Sequence, residues 1–436
     1  MLFRQFVDED LGCGSYLVGD PEVGEAVVVD PAFAIEQYLE AAAEGRVRIV
    51  RVLETHTHAD HLSGHGRFAL EHGVPVSIHP NALPEYPFDA LEDGQVLQVG
   101  SVEIRVVHTP GHRPEHCAFI VGDELVLTGD SLFVGDAARP DLAIDAREGA
   151  ADLFRSLQRL AGLRDGVAVY PGHVAGSLCG SNMSPERSTS IGREKATNHA
   201  LQVTELEAFV DESASVSTPR PPTTERLVTL NRGSWVGARA PLEPVDSDGD
   251  ALVLDVRPVE LFAAGHAPAA ISIALDGGSF ATRSAFVLDL AEPFVVHTRS
   301  AAEAHDAARH LWAVGLFNAV GFRAGADRTE NLATITVPEL ARLLEGGELQ
   351  ILDVREEAER QTVIPGSRAI PYRSLRNLKP GPLDPARPVY AICESGQRAT
   401  LAASVLDRQG YDARAVVGGG VGDLAAECAA VSSSSL

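Results

Sequence analysis

Residues 55–61 read Thr-His-Thr-His-Ala-Asp-His, three imidazoles and a carboxylate within six consecutive positions. Nitrogen and oxygen donors at that density suit a borderline or hard divalent metal such as zinc, iron or manganese. Further donors stand on separate segments: His112 in Thr109-Pro110-Gly111-His112, Asp130 in Thr128-Gly129-Asp130, and His173 in Tyr170-Pro171-Gly172-His173.

Each cluster follows an apolar, β-like run. The heptapeptide comes after Val47–Leu53, His112 after Val102–Val107, Asp130 after Leu125–Leu127 and His173 after Val167–Tyr170. Other such runs are Ala26–Val29, Val74–Ile78 and Ala118–Val121. Side chains on loops at strand ends can converge on one rim of a sheet, so four metal-competent loops predict one shared site.

The 436 residues exceed one ordinary domain, and about 150 residues per domain suggests about three. A hydrophobic content of 45% with 22% charged residues is that of a globular chain. No run approaches about 18 uninterrupted apolar residues, so no membrane span is expected. The N-terminal ten residues lack the basic start and apolar core of a signal peptide. Five widely spaced cysteines, Cys13, Cys117, Cys179, Cys393 and Cys428, fit reduced thiols and a cytoplasmic location. A formal charge of −25 disfavours nucleic acid and anionic membrane as partners.

Between about 200 and 245 the composition shifts. Helix-like Ala200–Val210 runs into Asp211–Thr224, rich in Ser, Thr and Pro, and later into Pro241–Asp250, both with linker character. The remainder repeats itself. Val253-Leu254-Asp255-Val256-Arg257 is echoed by Ile351-Leu352-Asp353-Val354-Arg355, and Ala267-Pro268 with Ile271-Ser272-Ile273 by Ile364-Pro365-Gly366-Ser367 with Ile370. Pro293–Ser300 is echoed by Pro388–Ser395. A period near one hundred residues is too long for a solenoid and predicts two copies of a small α/β domain.

Taken together, the Thr55–His61, Thr109–His112, Thr128–Asp130 and Tyr170–His173 motifs resemble the metallo-β-lactamase superfamily. The resemblance implies an α/β fold, an αββα sandwich with metal at one edge, but fold alone does not fix the reaction. In glyoxalase II-like thioester hydrolases, His56, His58 and His112 would hold one zinc and Asp60, His61 and His173 a second, with Asp130 bridging. In persulfide dioxygenases, one Fe(II) would be held by His56, His112 and Asp130, a facial triad with open positions. His58, Asp60, His61 and His173 would then orient ligands or hold water. The segment Gly129–Leu142 and Ser190–Asn198 resemble the dioxygenase signatures, which favours that reading and makes Arg139 and Asp141 an ion pair shaping the substrate side. Arg113 stands where relatives often have threonine. His65, His72, His79, His108 and His116 are read as ordinary polar or packing residues, and Cys13 and Cys117 as small core residues. Cys179 lies shortly after His173 and is a candidate persulfide carrier.

The last repeat resembles a rhodanese, a sulfurtransferase domain, through Leu352–Arg355, Ile364–Ser367 and Cys393-Glu394-Ser395-Gly396-Gln397-Arg398. Cys393 ends a β-like run and its loop precedes helix-like Ala399–Leu406. Backbone N–H groups at a helix start, with Arg398 five residues on, would lower the thiol pKa and cradle an anionic persulfide or thiosulfate. Glu394, Ser395, Gly396 and Gln397 would line that cradle. The middle copy has Thr298 at the equivalent position and is expected to be inactive.

The expected architecture is therefore residues 1–236 as a persulfide dioxygenase domain, 237–328 as an inactive rhodanese-like domain, 329–431 as an active rhodanese, and 432–436 as a disordered tail. The expected substrates are a glutathione or coenzyme A persulfide, O2, and sulfite or thiosulfate. One Fe(II) per chain is expected, two zinc ions being the alternative, in a homo-oligomer.

Overall fold

The computed structural model describes residues 1–140, 145–174, 183–215, 220–325, 329–378 and 381–434. They form two compact units, Met1–Arg239 with Trp312–Gly315, and Ala240–Leu311 with Leu316–Leu436.

The first unit is built on two six-stranded sheets. One runs in chain order through Leu2–Asp8, Cys13–Asp20, Glu25–Val29, Arg48–Leu53, Val76–Ile78 and Asp89–Ala90. The other runs from Val96–Val99 through Val102–His108, Cys117–Val121, Leu125–Gly129 and Ala168–Pro171 to Thr189–Ser190. Strands buried on both faces read as continuous apolar runs, which is why Val27, Val28 and Val29 are all buried. Val27, Val29 and Leu53 face Ile104, Phe119 and Leu127 in the core between the sheets. Val28, Val52, Ile35, Tyr38 and Phe68 fill the layer outside the first sheet, where helices Glu36–Gly45 and His65–His72 pack. Outside the second, helix Ala146–Ala161 buries Leu153, Leu157 and Leu160 against Val126 and Val169. Asp145 caps that helix, accepting the N–H groups of Arg147 and Glu148. The result is the αββα sandwich.

Helix-like Ala200–Val210 is split into His199–Gln202 and Leu206–Ser213, and Thr224–Arg232, next to the expected linker, is a further helix.

The second unit holds two parallel sheets. The four-stranded one is ordered Ile271–Ser272, Leu252–Asp255, Phe294–Thr298, Ala319–Ala324. The other is ordered Arg368–Ala369, Gln350–Asp353, Val389–Ile392, Ala413–Val417, Thr334–Thr336. The first four strands share one order, so the sequence repeat is also a structural repeat. The repeated Asp-x-Arg has one job in both copies: the buried arginine folds back on the aspartate two residues earlier. Arg257 Nε donates to Asp255 Oδ1 at 2.9 Å, and Arg355 Nε to Asp353 Oδ1 at 3.0 Å. No helix among the described residues is long and apolar enough to cross a membrane.

Candidate metal centre and thiol site

The strand ends deliver the donors as the apolar runs predict. Arg48–Leu53 leads into His56–His61, Val102–His108 into His112, Leu125–Gly129 into Asp130, and Ala168–Pro171 into His173. The donors are all buried or nearly so, which removes competing water.

His56, His112 and Asp130 form one group, with a ligand atom of each within 4.8 Å of the others. His112 Nε2 lies 3.5 Å and His56 Nε2 3.9 Å from Asp130 Oδ2. The other nitrogen of each ring is committed elsewhere. His112 Nδ1 donates to the carbonyl of Arg139 at 3.0 Å. His56 Nδ1 donates to Thr55 Oγ1 at 2.8 Å, and that hydroxyl donates onward to Asp30 Oδ2 at 2.8 Å. These bonds fix the tautomers that leave both Nε2 lone pairs facing Asp130. Asp130 Oδ2 is buried with no hydrogen-bond partner among the described residues. A buried, unsatisfied carboxylate oxygen between two imidazole lone pairs is costly unless a cation joins them, so the residues fit a divalent metal. Burial opposes the charge on Asp130, yet His173 and His112 hold it below the usual carboxylate range. Burial and the neighbouring His58 and His112 push His56 well below its ordinary pKa, keeping it neutral as a ligand must be.

His58 is committed through one nitrogen only: its ring centroid lies 4.4 Å from that of His56, and its Nδ1 is buried with no hydrogen-bond partner among the described residues. Its Nε2 donates to Glu54 Oε2 at 3.0 Å and lies 3.3 Å from Asp30 Oδ1. Burial works against a charge there, but the two carboxylates outweigh it and hold His58 well above its ordinary pKa. Glu54 also accepts from Ser63 Oγ at 2.5 Å and His65 Nδ1 at 3.0 Å. His65 thus belongs to a buried ionic network rather than to ordinary packing.

His173 links the remaining donors. Its Nδ1 lies 2.7 Å from Asp130 Oδ1 and its Nε2 2.8 Å from Asp60 Oδ2. Cys13 joins them, its Sγ 3.3 Å from His173 Nε2, 3.4 Å from Asp60 Oδ2 and 3.5 Å from His61 Nδ1. Cys13 is therefore part of the polar site, whereas Cys117 lies in the apolar core.

Two more residues that a reading of the chain passes over hold this loop. Asn231 donates to the carbonyls of His58 at 2.9 Å and His61 at 2.8 Å, and accepts the Ser63 N–H at 2.9 Å. Glu115 Oε1 accepts the Thr57 N–H at 3.2 Å and pairs with Arg113 Nε at 3.1 Å. No local signal marks Asn231, but Glu115 stands beside His116 in a loop already rich in donors.

Arg139 is half-buried and lines a cavity with Asp136, Asn198 and Phe209. The two signature segments meet here: Glu194 accepts the Gly135 N–H at 2.9 Å, and Asn198 Nδ2 donates to the Asp136 carbonyl at 2.9 Å. Asp141 and Cys179 lie outside the described residues.

In the second unit, Cys393 is 1% exposed at the end of Val389–Ile392. The N–H of Gly396 donates to its Sγ at 3.2 Å. Gly396 has φ 87°, a conformation that favours glycine, and it opens the helix Gln397–Arg408. Glu394 and Ser395 are exposed, and Glu394 pairs with Arg355. Arg398 is held bidentately by Glu359 at 2.6 and 2.9 Å.

The middle copy fills the same place with its own acid. Glu303 Oε2 accepts from Thr298 Oγ1 at 2.5 Å and the Arg299 N–H at 2.6 Å, and Oε1 from Arg299 Nε at 2.9 Å.

Residues 9–173 match the family model of the metallo-β-lactamase superfamily, and residues 336–426 that of the rhodanese-like domain. The chain is 30% identical to a probable polyketide biosynthesis zinc-dependent hydrolase of Bacillus velezensis, over 38% of this chain and 76% of that protein. The chain belongs to the metallo-β-lactamase superfamily. This superfamily member is also 29% identical to a mitochondrial persulfide dioxygenase of Bos taurus, over 43% of its own length and 74% of that protein. A metallo-β-lactamase structure from Staphylococcus aureus aligns with a TM-score of 0.68 at 27% identity, covering 74% of this chain and 98% of that one. The metallo-β-lactamase domain, with persulfide dioxygenases among its homologues, is thus followed by a C-terminal rhodanese-like domain.

Proposed function

We propose that the chain is a bifunctional enzyme of sulfur metabolism, a persulfide dioxygenase joined to a sulfurtransferase. The single observation that carries the first half is the division of the donors. His56, His112 and Asp130 each bring a ligand atom within 4.8 Å of the others, while the Nε2 of His58 is engaged by Glu54 and Asp30. Held by those three residues, Fe(II) would supply the redox chemistry that couples O2 to a persulfide sulfur.

The overall conversion is persulfide, O2 and water to thiol, sulfite and two protons. The chain contributes positioning: Thr55 and the Arg139 carbonyl orient the two imidazoles, and His173 holds Asp130 Oδ1 so that Oδ2 faces inward. Arg139 and Asp141 are the proposed substrate-side groups, and Cys179 a proposed local carrier. The substrate is a glutathione or coenzyme A persulfide.

Cys393 carries the second half. Its thiolate attacks the sulfane sulfur of thiosulfate, the S–S bond breaks, and sulfite leaves with the bonding pair. The cysteine persulfide then yields its outer sulfur to an acceptor thiolate. Run backwards with sulfite as acceptor, the same steps form thiosulfate. The Gly396 N–H on Sγ and the start of helix Gln397–Arg408 favour the anionic sulfur these steps need. Thr298, which has no thiol, leaves the middle repeat without a carrier.

A two-zinc thioester hydrolase is the second reading, since Cys13, Asp60 and His61 offer another set of donors within 4.8 Å of one another. Metal analysis of anaerobically purified protein, with O2 uptake on addition of glutathione persulfide, decides between them. One iron per chain and O2 consumption with sulfite release are expected. Two zinc ions with thioester hydrolysis and no O2 uptake would overturn the dioxygenase.

A further inference from the structure

Cys13 opens the strand Cys13–Asp20 with its thiol inside a ring of other donors. Its Sγ lies 3.3 Å from His173 Nε2, 3.5 Å from His61 Nδ1 and 3.4 Å from Asp60 Oδ2. His61 Nδ1 is in turn 3.2 Å from Asp60 Oδ1. Around a tetrahedral zinc, ordinary bond lengths set a sulfur ligand about 3.5 Å from a nitrogen or oxygen ligand, and a nitrogen about 3.4 Å from an oxygen. The donors already stand near the corners of such a tetrahedron. Only the 2.8 Å contact of His173 Nε2 with Asp60 Oδ2 has to lengthen.

The proton count points the same way. Neutral Cys13 brings one S–H to three neighbours that can each accept it. His173 gives its Nδ1 proton to Asp130 Oδ1 at 2.7 Å, which in the neutral ring leaves the Nε2 lone pair toward the sulfur. One cation would answer all of these lone pairs together.

This donor set does not share Asp130 with the His56–His112–Asp130 triad. Asp130 Oδ1 is engaged by His173, and Oδ2 faces His112 and His56 at 3.5 and 3.9 Å. The two sets also differ in kind. The triad offers nitrogen and oxygen alone, whereas the Cys13 set adds a soft sulfur, which selects zinc over harder divalent ions. Backbone bonds already tie the same places together: the Gly14 N–H donates to the Gly172 carbonyl at 2.6 Å, and the Val174 N–H to that of Gly12 at 2.9 Å. A cation would strengthen that link between one sheet and a loop of the other.

We propose that Cys13 is a thiolate ligand of a zinc-class cation, held with His61, Asp60 and His173 beside the triad and without Asp130 as a bridge. Four protein donors close the site, which makes it structural, and it pins the loop that carries His56. It goes beyond the dioxygenase reading and stands whichever metal the triad takes.

The test uses the full chain, stripped with a chelator and reloaded with cobalt(II), which reports a bound thiolate by a near-ultraviolet charge-transfer band. The wild-type chain should show the band, and added zinc should bleach it. Cys13→Ser should lose the band and bind zinc more weakly, by more than the roughly 10–100-fold that loss of an orienting group costs. His112→Ala, which dismantles the triad, and Cys393→Ser, which removes the rhodanese thiol, should both keep it. Bound cobalt with no band in the wild-type chain, as an Asp130-bridged pair would give, overturns the proposal. So does a band that survives Cys13→Ser. The first outcome is read on the wild-type chain, so a variant that fails to fold cannot shelter the idea. Neither depends on O2 uptake, so the dioxygenase reading stands or falls separately.

Discussion

His116 Nε2 accepts the backbone N–H of Asp130 at 2.8 Å, while its Nδ1 donates to Thr109 Oγ1 at 2.8 Å. Burial, together with His112, pushes its pKa down to about 3, so the ring is a neutral acceptor. The contact depends on Gly129, whose φ is 49° and whose Cβ, if present, would stand 2.6 Å from His116 Nε2. His116 is therefore a clamp on the Asp130 turn, not the ordinary polar residue its isolated position suggests.

His116→Ala should weaken metal binding about 10–100-fold, the size expected when a group that orients a ligand is lost. Competition against a chelator measures it. Wild-type affinity in this variant would exclude the clamp.

Asn231→Ala should loosen the metal loop, because it leaves two buried carbonyls and the Ser63 N–H without their partner. The local cost is about 1–3 kcal/mol per stranded buried group before relaxation. A chain of several domains does not unfold in two states, so hydrogen exchange is the suitable measurement. Protection should fall over residues 58–63 and stay unchanged around Cys393; equal protection in both proteins would refute the role.

The strand-end placement of His56, His112, Asp130 and His173 was legible in the chain because buried strands write themselves as apolar runs, and each donor follows one. The repeat was legible for a related reason: the Asp-x-Arg turn needs both residues in every copy. What stayed hidden is made mostly of side-chain contacts between residues far apart in sequence. Asn231 reaches His58 across 173 positions, from a helix beside a stretch of Ser, Thr and Pro that resembles a linker. Cys13 looks like a core thiol because its strand is buried throughout, and only the fold brings it to His173. His58 carries the motif's signature, yet Glu54 and Asp30 decide where its ring points. Glu54 could have been suspected, since a carboxylate at the end of a buried strand needs a partner.

Cys393→Ser should abolish sulfur transfer from thiosulfate to a thiol and leave persulfide-dependent O2 uptake largely intact. The two donor sets are built from different units of the chain, one on the αββα sandwich and one on the last parallel sheet. Separate assays on the same purified variant give the answer. Loss of both activities would refute the division of labour.

Thr298 stands at a strand end as Cys393 does, so Thr298→Cys invites the idea of a second sulfur carrier. We expect it to fail. Glu303 already occupies the N–H of Arg299 and the Thr298 hydroxyl, and burial is outweighed by Arg299 and Thr298 in holding Glu303 below the usual carboxylate range. An ionised acid in that position repels a thiolate and takes the donors that would stabilise it, so the new thiol should titrate above the ordinary cysteine range. In a Cys393→Ser background, Thr298→Cys should transfer no sulfur and react slowly with iodoacetamide near neutral pH. Adding Glu303→Gln removes the charge and should speed that alkylation. Equal rates with and without Glu303→Gln would mean that the acid does not plug the cradle, and the silence of the middle repeat would then rest on the missing sulfur alone.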